Sequence, residues 1–454
     1  MDLINNINDT INGLVWGPYM ILLLIGTGIY LSIRLKFLQV RYFKAIMKET
    51  LGKMFHKKVE GEGEISPGQA GLTAIAAVVG TGNIAGVATA IAIGGPGAIF
   101  WMWVSAFFGM ATKFSEITLG IKYREKRKDG SFAGGAMYYL TNGLKQKWMG
   151  IFFSLMVIAT YFIIGAIVDT NTIALSVQEQ WGINPLYTGI FLAVITGIVV
   201  LGGIKRIGEV CEFLTPFMGG IYLVAGLAII VINISEIPSA FATIFTYAFK
   251  PAAATGGFAG ATVARMMTIG TARGMFSNEA GMGSSPIIHS SAITDHPSRQ
   301  GLWGVAEVFV DTMLICTITG LAIIVSGEWT TGVSGAALTM RAFATALPGD
   351  FGGYIVVISA MLFGYSCLIS ANYYCERAGE YLFGTKSIIP IRVLWIVFIV
   401  IGSVGGLEFV WALADTANGL MAIPNLIGLI FLSKMVVKEK EDFFTNTIDK
   451  KDVM

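Results

Sequence analysis

The chain has 454 residues, of which 54% are hydrophobic and 13% are charged. Soluble domains carry about 25% charged residues, so this composition excludes an ordinary soluble protein and indicates a membrane protein. The net charge of +2 says little by itself, and we expect no nucleic-acid partner. The four cysteines all lie in apolar segments, without the spacing of disulfides or of a metal site.

Eleven stretches of the sequence are long and apolar enough to be membrane spans, since a helix needs about 20 apolar residues to cross a bilayer. The sequence therefore predicts an all-α integral membrane protein. The predicted spans are 14–34, 67–93, 97–121, 149–178, 185–203, 208–234, 258–287, 300–326, 352–383, 388–404 and 407–433. Surface or interfacial helices are predicted at 37–58, 132–144, 238–248 and 333–347.

Basic residues are concentrated in alternate loops. Eight Lys and Arg residues fall between 34 and 58, and seven fall between 122 and 147, whereas the opposite loops hold little beyond Lys250 and Arg341. Because Lys and Arg are enriched in cytoplasmic loops, we expect the N-terminus outside the cell membrane and the C-terminus in the cytoplasm.

Two spans contain clusters of glycine and polar residues at mid-membrane depth. One cluster is residues 79–83, VGTGN, and the other is residues 270–281, GTARGMFSNEAG. Glycine destabilises a helix by roughly 1 kcal/mol relative to alanine, so each cluster predicts an interruption. The alternative is that the small residues only allow close helix packing. Interrupted spans at matching places in two halves are typical of transporters built from inverted repeats.

An interrupted helix suits the binding of an amino acid together with a cation. Lipid cannot satisfy the freed amide and carbonyl groups. Amides at the N-terminus of a half-helix suit a carboxylate, and carbonyl oxygens suit an ammonium group or Na⁺. In the first cluster Asn83 adds an amide side chain, and in the ninth span Ser366 adds a hydroxyl group beside Cys367.

Residues 94–109, GGPGAIFWMWVSAFFG, resemble the signature of the alanine or glycine:cation symporter family. The stretches GTGNIAGVATA, RGMFSNEAG, TDHP and MAIPNLIGL are also similar to that family, so the likeness covers essentially the whole chain. The resemblance implies a leucine-transporter-like fold, with one extra N-terminal helix and a five-plus-five inverted repeat that contains two discontinuous helices. It also implies Na⁺, or H⁺ in some members, as the coupling ion, no organic cofactor, and alanine or glycine as the substrate.

The implied organisation divides the chain into six parts. These are an extra helix at 1–36, a cytoplasmic linker at 37–66, a first repeat at 67–235, an extracellular connection at 236–257, a second repeat at 258–433 and a cytoplasmic tail at 434–454.

The resemblance also implies roles for single residues. Carboxylate-binding amides fall at Thr81 and Gly82. The Na⁺ ligands are the carbonyl groups of Ala76 and Val79 and the side chains of Ser366 and Cys367. The whole expected substrate site is Gly80, Thr81, Gly82, Asn83, Asp169, Asn171, Met275, Phe276, Ser277 and Ala371.

Three of these positions depart from the family pattern. Cys367 stands where the family has a hydroxyl residue, and its sulfur is a poor ligand for Na⁺. Ala371 stands where the family has Trp, which predicts a larger pocket. Asp169 stands where the family has Gln, which predicts a preference for a cationic or larger substrate.

Ionisable residues within the spans leave one alternative open. Each costs about 2.5–3.5 kcal/mol at mid-bilayer, so each needs a partner or water. We expect Arg273 to pair with Glu279 or Asp311. An H⁺-coupled transporter with Asp169 or Asp311 as the proton carrier remains an alternative. The sequence contains no catalytic motif of an enzyme, and two interrupted spans favour alternating access over a channel.

Overall fold

The computed structural model describes residues 2–56, 60–128, 130–250, 263–349, 351–405 and 408–448. Within these residues the chain is helical apart from one two-stranded antiparallel sheet, in which β1 (Glu125–Lys126) pairs with β2 (Phe132–Ala133). The all-α prediction is therefore confirmed. Residues 251–262, which include parts of the predicted extracellular connection and of the seventh span, lie outside the described residues, as do 449–454 of the predicted tail.

The described residues of the first half of the chain form twelve α-helices. Their bounds are α1 Asp2–Val15, α2 Pro18–Arg34, α3 Leu38–Arg41, α4 Phe43–Glu49, α5 Pro67–Val78, α6 Val87–Gly94, α7 Ala98–Lys122, α8 Ala136–Tyr138, α9 Lys147–Tyr161, α10 Thr170–Trp181, α11 Pro185–Val200 and α12 Gly203–Ile232. Wider π-helical turns precede α6, follow α8 and join α9 to α10, and a 3-10 turn follows α4. These turns are Gly82–Gly86, Tyr139–Gly143, Phe162–Asp169 and Leu51–Lys53.

In the described part of the second half there are nine more α-helices. Their bounds are α13 Ile237–Phe249, α14 Val263–Asn278, α15 Ser285–His289, α16 Pro297–Val308, α17 Thr317–Val325, α18 Gly335–Ala346, α19 Phe351–Phe383, α20 Ile388–Val404 and α21 Glu408–Asp442. A π-helical segment joins α16 to α17 and another follows α21, and two 3-10 turns lie between helices. These segments are Phe309–Cys316, Phe443–Thr447, Glu328–Thr330 and Thr385–Ser387.

Seven helices in the described part of the chain are long and apolar enough to cross a membrane, and the bent pair of α5 and α6 makes an eighth segment. Three other predicted spans fall short of that description. The helix α7 carries the charged residues Lys113 and Glu116, and α11 and α14 have 16 residues each. The number of eleven spans therefore stays a prediction, as do the limits of the six parts.

The first interrupted helix lies where the sequence predicts it. Ser66 caps α5, because its side chain accepts a hydrogen bond from the Gln69 amide while the Gln69 side chain accepts one from the Ser66 amide. The helix ends at Val78, because Val79 adopts an extended conformation with ψ of 91°. The chain turns helical again at Gly82, and the two halves are bent by 47°.

The second interruption lies at the C-terminal end of the predicted cluster 270–281. The helix α14 runs through Gly270 and Gly274 to Asn278, and it gives way to a turn in which Glu279, Gly281 and Gly283 have φ angles of 54°, 98° and 79°. The first nine residues of the cluster are therefore helical, and Gly270 and Gly274 do not interrupt the helix.

Close packing explains the two glycines inside α14. A methyl group at Gly270 would lie 2.5 Å from the carbonyl oxygen of Ala98, and one at Gly274 would lie 3.4 Å from Cα of Met102. The two glycines thus allow α14 to approach α7 closely, which is the role that the alternative interpretation gave to small residues. The prediction of two discontinuous helices is confirmed.

Polar contacts connect the loops on the side that carries most of the positive charge. Arg124 donates hydrogen bonds to the carbonyl groups of Ser290, Ala292 and Glu62, at 2.9, 2.7 and 2.6 Å. A hydrogen bond from Lys126, together with its charge, lowers the pKa of the exposed Glu62 carboxylate. These contacts fix the loop after α15 against the linker that precedes α5.

Candidate functional site

The two interruptions, the end of the α9–α10 segment, α19 and α21 surround a small central cavity. Its volume is about 40 Å³, measured as the space open to the centre of a water molecule. The lining includes seven of the residues that the sequence predicts for the substrate or Na⁺, namely Gly80, Thr81, Gly82, Asp169, Phe276, Cys367 and Ala371.

Local hydrogen bonds hold the first interruption in shape. The amide of Gly80 donates to Oδ1 of Asn83 at 2.8 Å, and the hydroxyl of Thr81 donates to Oδ1 of Asp169 at 2.8 Å. Because the first amides of a helix have no partner within it, the amides at the start of the second half-helix are available to an anion. Gly80 has no room for a side chain, since a methyl group there would lie 2.5 Å from Sγ of Cys367.

The groups predicted to hold Na⁺ lie together where α5 ends beside α19. The hydroxyl of Ser366 donates to the carbonyl groups of Ala76 and Phe363, at 2.9 and 2.8 Å. The sulfur of Cys367 lies 3.5 Å from the carbonyl oxygen of Ala76 and 3.9 Å from that of Val79. These buried oxygen atoms fit a hard cation, which prefers oxygen ligands.

Two predicted substrate residues belong to a second polar cluster instead of lining the cavity. This cluster, the Asp311 cluster, consists of Asn83, Ser277, Asp311 and Thr312. Oδ1 of Asp311 accepts a hydrogen bond from Asn83 at 2.6 Å, and Oδ2 accepts from Ser277 and Thr312 at 2.8 and 2.7 Å. Asn83 and Ser277 thereby link both interrupted helices to the segment between α16 and α17.

Asn171 and Met275 also do not line the cavity. Asn171 donates hydrogen bonds of 3.0 Å to the carbonyl groups of Gly402 and Gly405, where α20 ends. Successive helical residues are turned by about 100°, so Asn171 points about 200° away from Asp169, which does line the cavity. Met275 is buried in the hydrophobic core. These two residues do not line the cavity, and their assignment to the substrate site stays a prediction.

Two ionisable residues near the second interruption have partners that the sequence does not predict. Arg273 forms an ion pair with Asp415 of α21, at 3.2 Å, and not with Glu279 or Asp311. His289 is fully buried at the end of α15 and forms a hydrogen bond with Glu307.

Two charged side chains of α7 form hydrogen bonds with the second interruption, and the sequence does not predict them as part of the site. Nζ of Lys113 donates to the carbonyl group of Asn278 at 2.7 Å, where α14 ends. Oε1 of Glu116 accepts the amides of Gly281 and Gly283, at 3.0 and 3.1 Å. A cation at a helix C-terminus and an anion facing free amides are both favourable. The sequence feature that could have indicated them is the presence of two oppositely charged residues, three positions apart, within an apolar span.

An asparagine of α21 joins the same arrangement. The side-chain amide of Asn425 donates to Oε1 of Glu116 at 2.5 Å and to the carbonyl group of Gly281 at 2.8 Å. Its own oxygen accepts a hydrogen bond from Tyr139. Asn425 therefore connects α21 to both α7 and the second interruption.

In the described part of the chain, buried carboxyl groups outnumber buried lysine side chains around the two interruptions. Lys113 lies 3.6 Å from Glu307, and its charge also acts on Glu116, Glu279 and Asp311. A fifth buried carboxyl group, that of Asp169, lies at the cavity beside Thr81. Because uncompensated buried charges are costly, a bound cation would compensate these carboxyl groups where they are ionised.

Comparison with known proteins agrees with this architecture. Residues 1–454 match the family model described as the sodium:alanine symporter family. The sodium/alanine symporter AgcS of Methanococcus maripaludis is 47% identical over 451 residues, which are 98% of each chain.

Two solved structures share the fold. The structure of MhsT in complex with L-phenylalanine has a TM-score of 0.60 at 15% identity and covers 86% of this chain and 92% of its own. A Na⁺-coupled sialic acid symporter has a TM-score of 0.57 at 16% identity, with 93% and 86% of the two chains covered. The leucine-transporter-like fold is confirmed. On the whole-length match, this chain is a membrane transporter that belongs to the sodium:alanine symporter family.

Proposed function

We propose that the protein is a secondary active symporter, which couples inward Na⁺ movement to the uptake of a small amino acid by alternating access. The observation that carries this proposal is the first interruption, where the end of α5 faces Ser366 and Cys367 on one side and the central cavity on the other. Membership of the family, and the name of the relative from Methanococcus maripaludis, support Na⁺ and alanine.

In the proposed mechanism, Na⁺ bridges the end of α5 and α19. The carbonyl groups of Ala76 and Val79 and the side chain of Ser366 are its ligands, and Cys367 contributes the weakest contact. Bound Na⁺ fixes the first interruption, so that the amides of Thr81 and Gly82 face the substrate carboxylate. Occlusion follows, and then inward opening of a bundle that consists of α5–α7 and α14–α17.

The size of the cavity supports a small substrate. A methyl group at Gly165 would lie 2.8 Å from the Trp395 ring and 3.2 Å from Cβ of Ala371, so this wall is tightly packed. The pocket larger than that of the family, which Ala371 predicts, stays a prediction. A volume of about 40 Å³ is about three times the space that one water molecule needs, which suits alanine or glycine.

The available energy supports accumulation of the substrate. A tenfold Na⁺ gradient supplies about 1.4 kcal/mol, and a potential of about 100 mV adds about 2.3 kcal/mol for one charge. One Na⁺ per zwitterion therefore supports roughly 500-fold accumulation, since each tenfold step requires about 1.36 kcal/mol.

The distribution of basic loops supports an N-terminus outside the cell membrane and a C-terminus in the cytoplasm. A protease site added after residue 454 tests this orientation. We expect it to be cut in inside-out vesicles and protected in intact cells, and cleavage in intact cells contradicts it.

Uptake of labelled alanine into proteoliposomes tests the function. We expect an inward Na⁺ gradient to drive uptake and an equal choline gradient to give none. The H⁺-coupled alternative draws support from the buried carboxylates of Asp169 and Asp311. It predicts uptake driven by an inward H⁺ gradient without Na⁺. Uptake that stops at equal concentrations inside and outside, while either gradient is imposed, contradicts both forms of symport.

A further inference from the structure

One wall of the central cavity is lined by hydrogen-bond acceptors. This acceptor wall consists of Asp169, Glu279 and Asn418. Oδ1 of Asn418 is buried and has no hydrogen-bond partner among the described residues, and the residue is 1% exposed. A buried acceptor without a partner costs about 1–3 kcal/mol. The wall therefore lacks a donor that a bound molecule can supply.

The wall contains two carboxyl groups. Asp169 and Glu279 line one small space, and they repel each other where both are ionised. Thr81 donates one hydrogen bond to Asp169, and Ser284 donates one to Glu279 at 2.5 Å, but neither hydroxyl carries a charge. The described residues that line the cavity include no Lys, Arg or His, and the charge of Lys113 acts on Glu279 from outside the lining. A cation that enters the cavity compensates the carboxylate of Asp169 as well.

The acceptor wall adjoins the groups proposed for the backbone of an ordinary amino acid. The amides of Thr81 and Gly82 suit the α-carboxylate, and the freed carbonyl groups of the first interruption suit the α-ammonium group. Oδ1 of Asp169 lies 2.8 Å from the Thr81 hydroxyl, and the wall continues onto the turn after α14 and onto α21. A substrate whose backbone binds at Thr81 and Gly82 can therefore extend its side chain along this wall.

We propose that the acceptor wall binds a second ammonium group, so that the preferred substrates are short diamino acids. This inference rests on the proposed function, because it assigns the substrate class of the same site. The cavity volume of about 40 Å³ favours a short side chain. In 2,3-diaminopropionate one methylene group precedes the second ammonium, whereas lysine has four.

The test compares two molecules with the same number of non-hydrogen atoms. In 2,3-diaminopropionate an ammonium group stands where 2-aminobutyrate has a methyl group. Both compete with labelled alanine for Na⁺-driven uptake into proteoliposomes. A charge-assisted hydrogen bond in a buried site corresponds to at least about tenfold in affinity. We expect 2,3-diaminopropionate to inhibit at a concentration at least about tenfold lower than 2-aminobutyrate.

The Asp169→Asn variant tests whether the difference between the two inhibitors depends on the charge of Asp169. It keeps the shape of the side chain and removes its charge, so the ratio of the two inhibitory concentrations is expected to fall towards one. The control is Glu328→Gln, which removes a carboxylate from the loop after α17 and is expected to keep the wild-type ratio. If Asp169 binds only the α-ammonium group, Asp169→Asn weakens both inhibitors equally, which overturns the inference.

A second measurement needs no variant and no transport. Thermal stabilisation of the purified wild-type protein by each compound, in the presence of Na⁺, reports binding directly. Equal stabilisation, or greater stabilisation by 2-aminobutyrate, overturns the inference. If alanine uptake proves independent of Na⁺, the proposed function fails, and the stabilisation experiment still decides whether the wall binds a second ammonium group.

Discussion

At the scale of single residues, Cys367 places sulfur where the proposed Na⁺ site would use oxygen. We expect Cys367→Ser to lower the Na⁺ concentration for half-maximal uptake by about three- to tenfold, because a hydroxyl oxygen is a better ligand for a hard cation. The measurement is the Na⁺ dependence of alanine uptake. Cys375→Ser is the matched control, since Cys375 lies on the same helix and its sulfur faces the carbonyl of Ile158. Equal Na⁺ dependence in wild type and Cys367→Ser contradicts the assignment.

The contact between Cys367 and Gly80 gives a second prediction. Gly80→Ala would place a methyl group 2.5 Å from Sγ of Cys367, so we expect transport to be lost. The double variant with Cys367→Ala removes the sulfur, and we expect it to recover part of the activity. Gly86→Ala serves as the control, because a methyl group at Gly86 meets no atom within 4 Å. A fully active Gly80→Ala protein shows that the interruption is looser than the structure indicates.

At the scale of the helices, the amide of Thr81 marks the start of the second half of the first interrupted helix. Thr81→Pro removes this amide but suits the first turn of a helix. We therefore expect normal expression with loss of substrate binding, measured by ligand-induced thermal stabilisation. Thr81→Val, which keeps the amide and removes only the hydroxyl, should retain more binding. Normal transport by Thr81→Pro would falsify the assignment of this amide.

The second interruption depends on α7. Glu116→Ala leaves the amides of Gly281 and Gly283 without their acceptor, so we expect a loss of about 2–5 kcal/mol in the free energy of unfolding. Glu116→Gln keeps one acceptor oxygen and should lose less. The midpoint of thermal unfolding in detergent is the measurement. The same midpoint for Glu116→Ala and wild type contradicts the role of Glu116.

At the scale of the whole molecule, coupling of one Na⁺ to a zwitterion moves one net charge. An inside-negative potential of about 100 mV should then raise accumulation by about 50-fold, since it contributes about 2.3 kcal/mol. For a diamino acid with a net positive charge, two charges move and the dependence on potential is steeper. A K⁺ diffusion potential set with valinomycin provides the measurement. Accumulation that does not respond to the potential contradicts this stoichiometry.

Local patterns in the sequence predict the first interruption but not the position of the second. Gly80 directly follows Val79, Gly82 comes two residues later, and both glycines coincide with the bend. Gly270 and Gly274 are equally suggestive, yet they lie within a regular helix because they pack against α7. Composition alone does not distinguish a glycine that ends a helix from one that permits a close contact.

Two further features of the site depend on information that one sequence does not contain. Whether Asn171 or Asp169 faces the cavity depends on the rotation of their helix about its axis. The contact of Lys113 with the Asn278 carbonyl joins residues 165 positions apart in the chain. The likeness to the family predicts the fold, whereas these contacts follow from tertiary packing.

The side-chain amide of Asn425 holds both Glu116 and the carbonyl group of Gly281. Both bonds start from one nitrogen atom, so withdrawal of α21 from α7 releases them in the same step. Intermediate positions would leave the buried amide of Asn425 and the carbonyl group of Gly281 without these partners. Such a contact disfavours gradual movement of α21 along α7 and favours a transition between two well-defined arrangements of the helices.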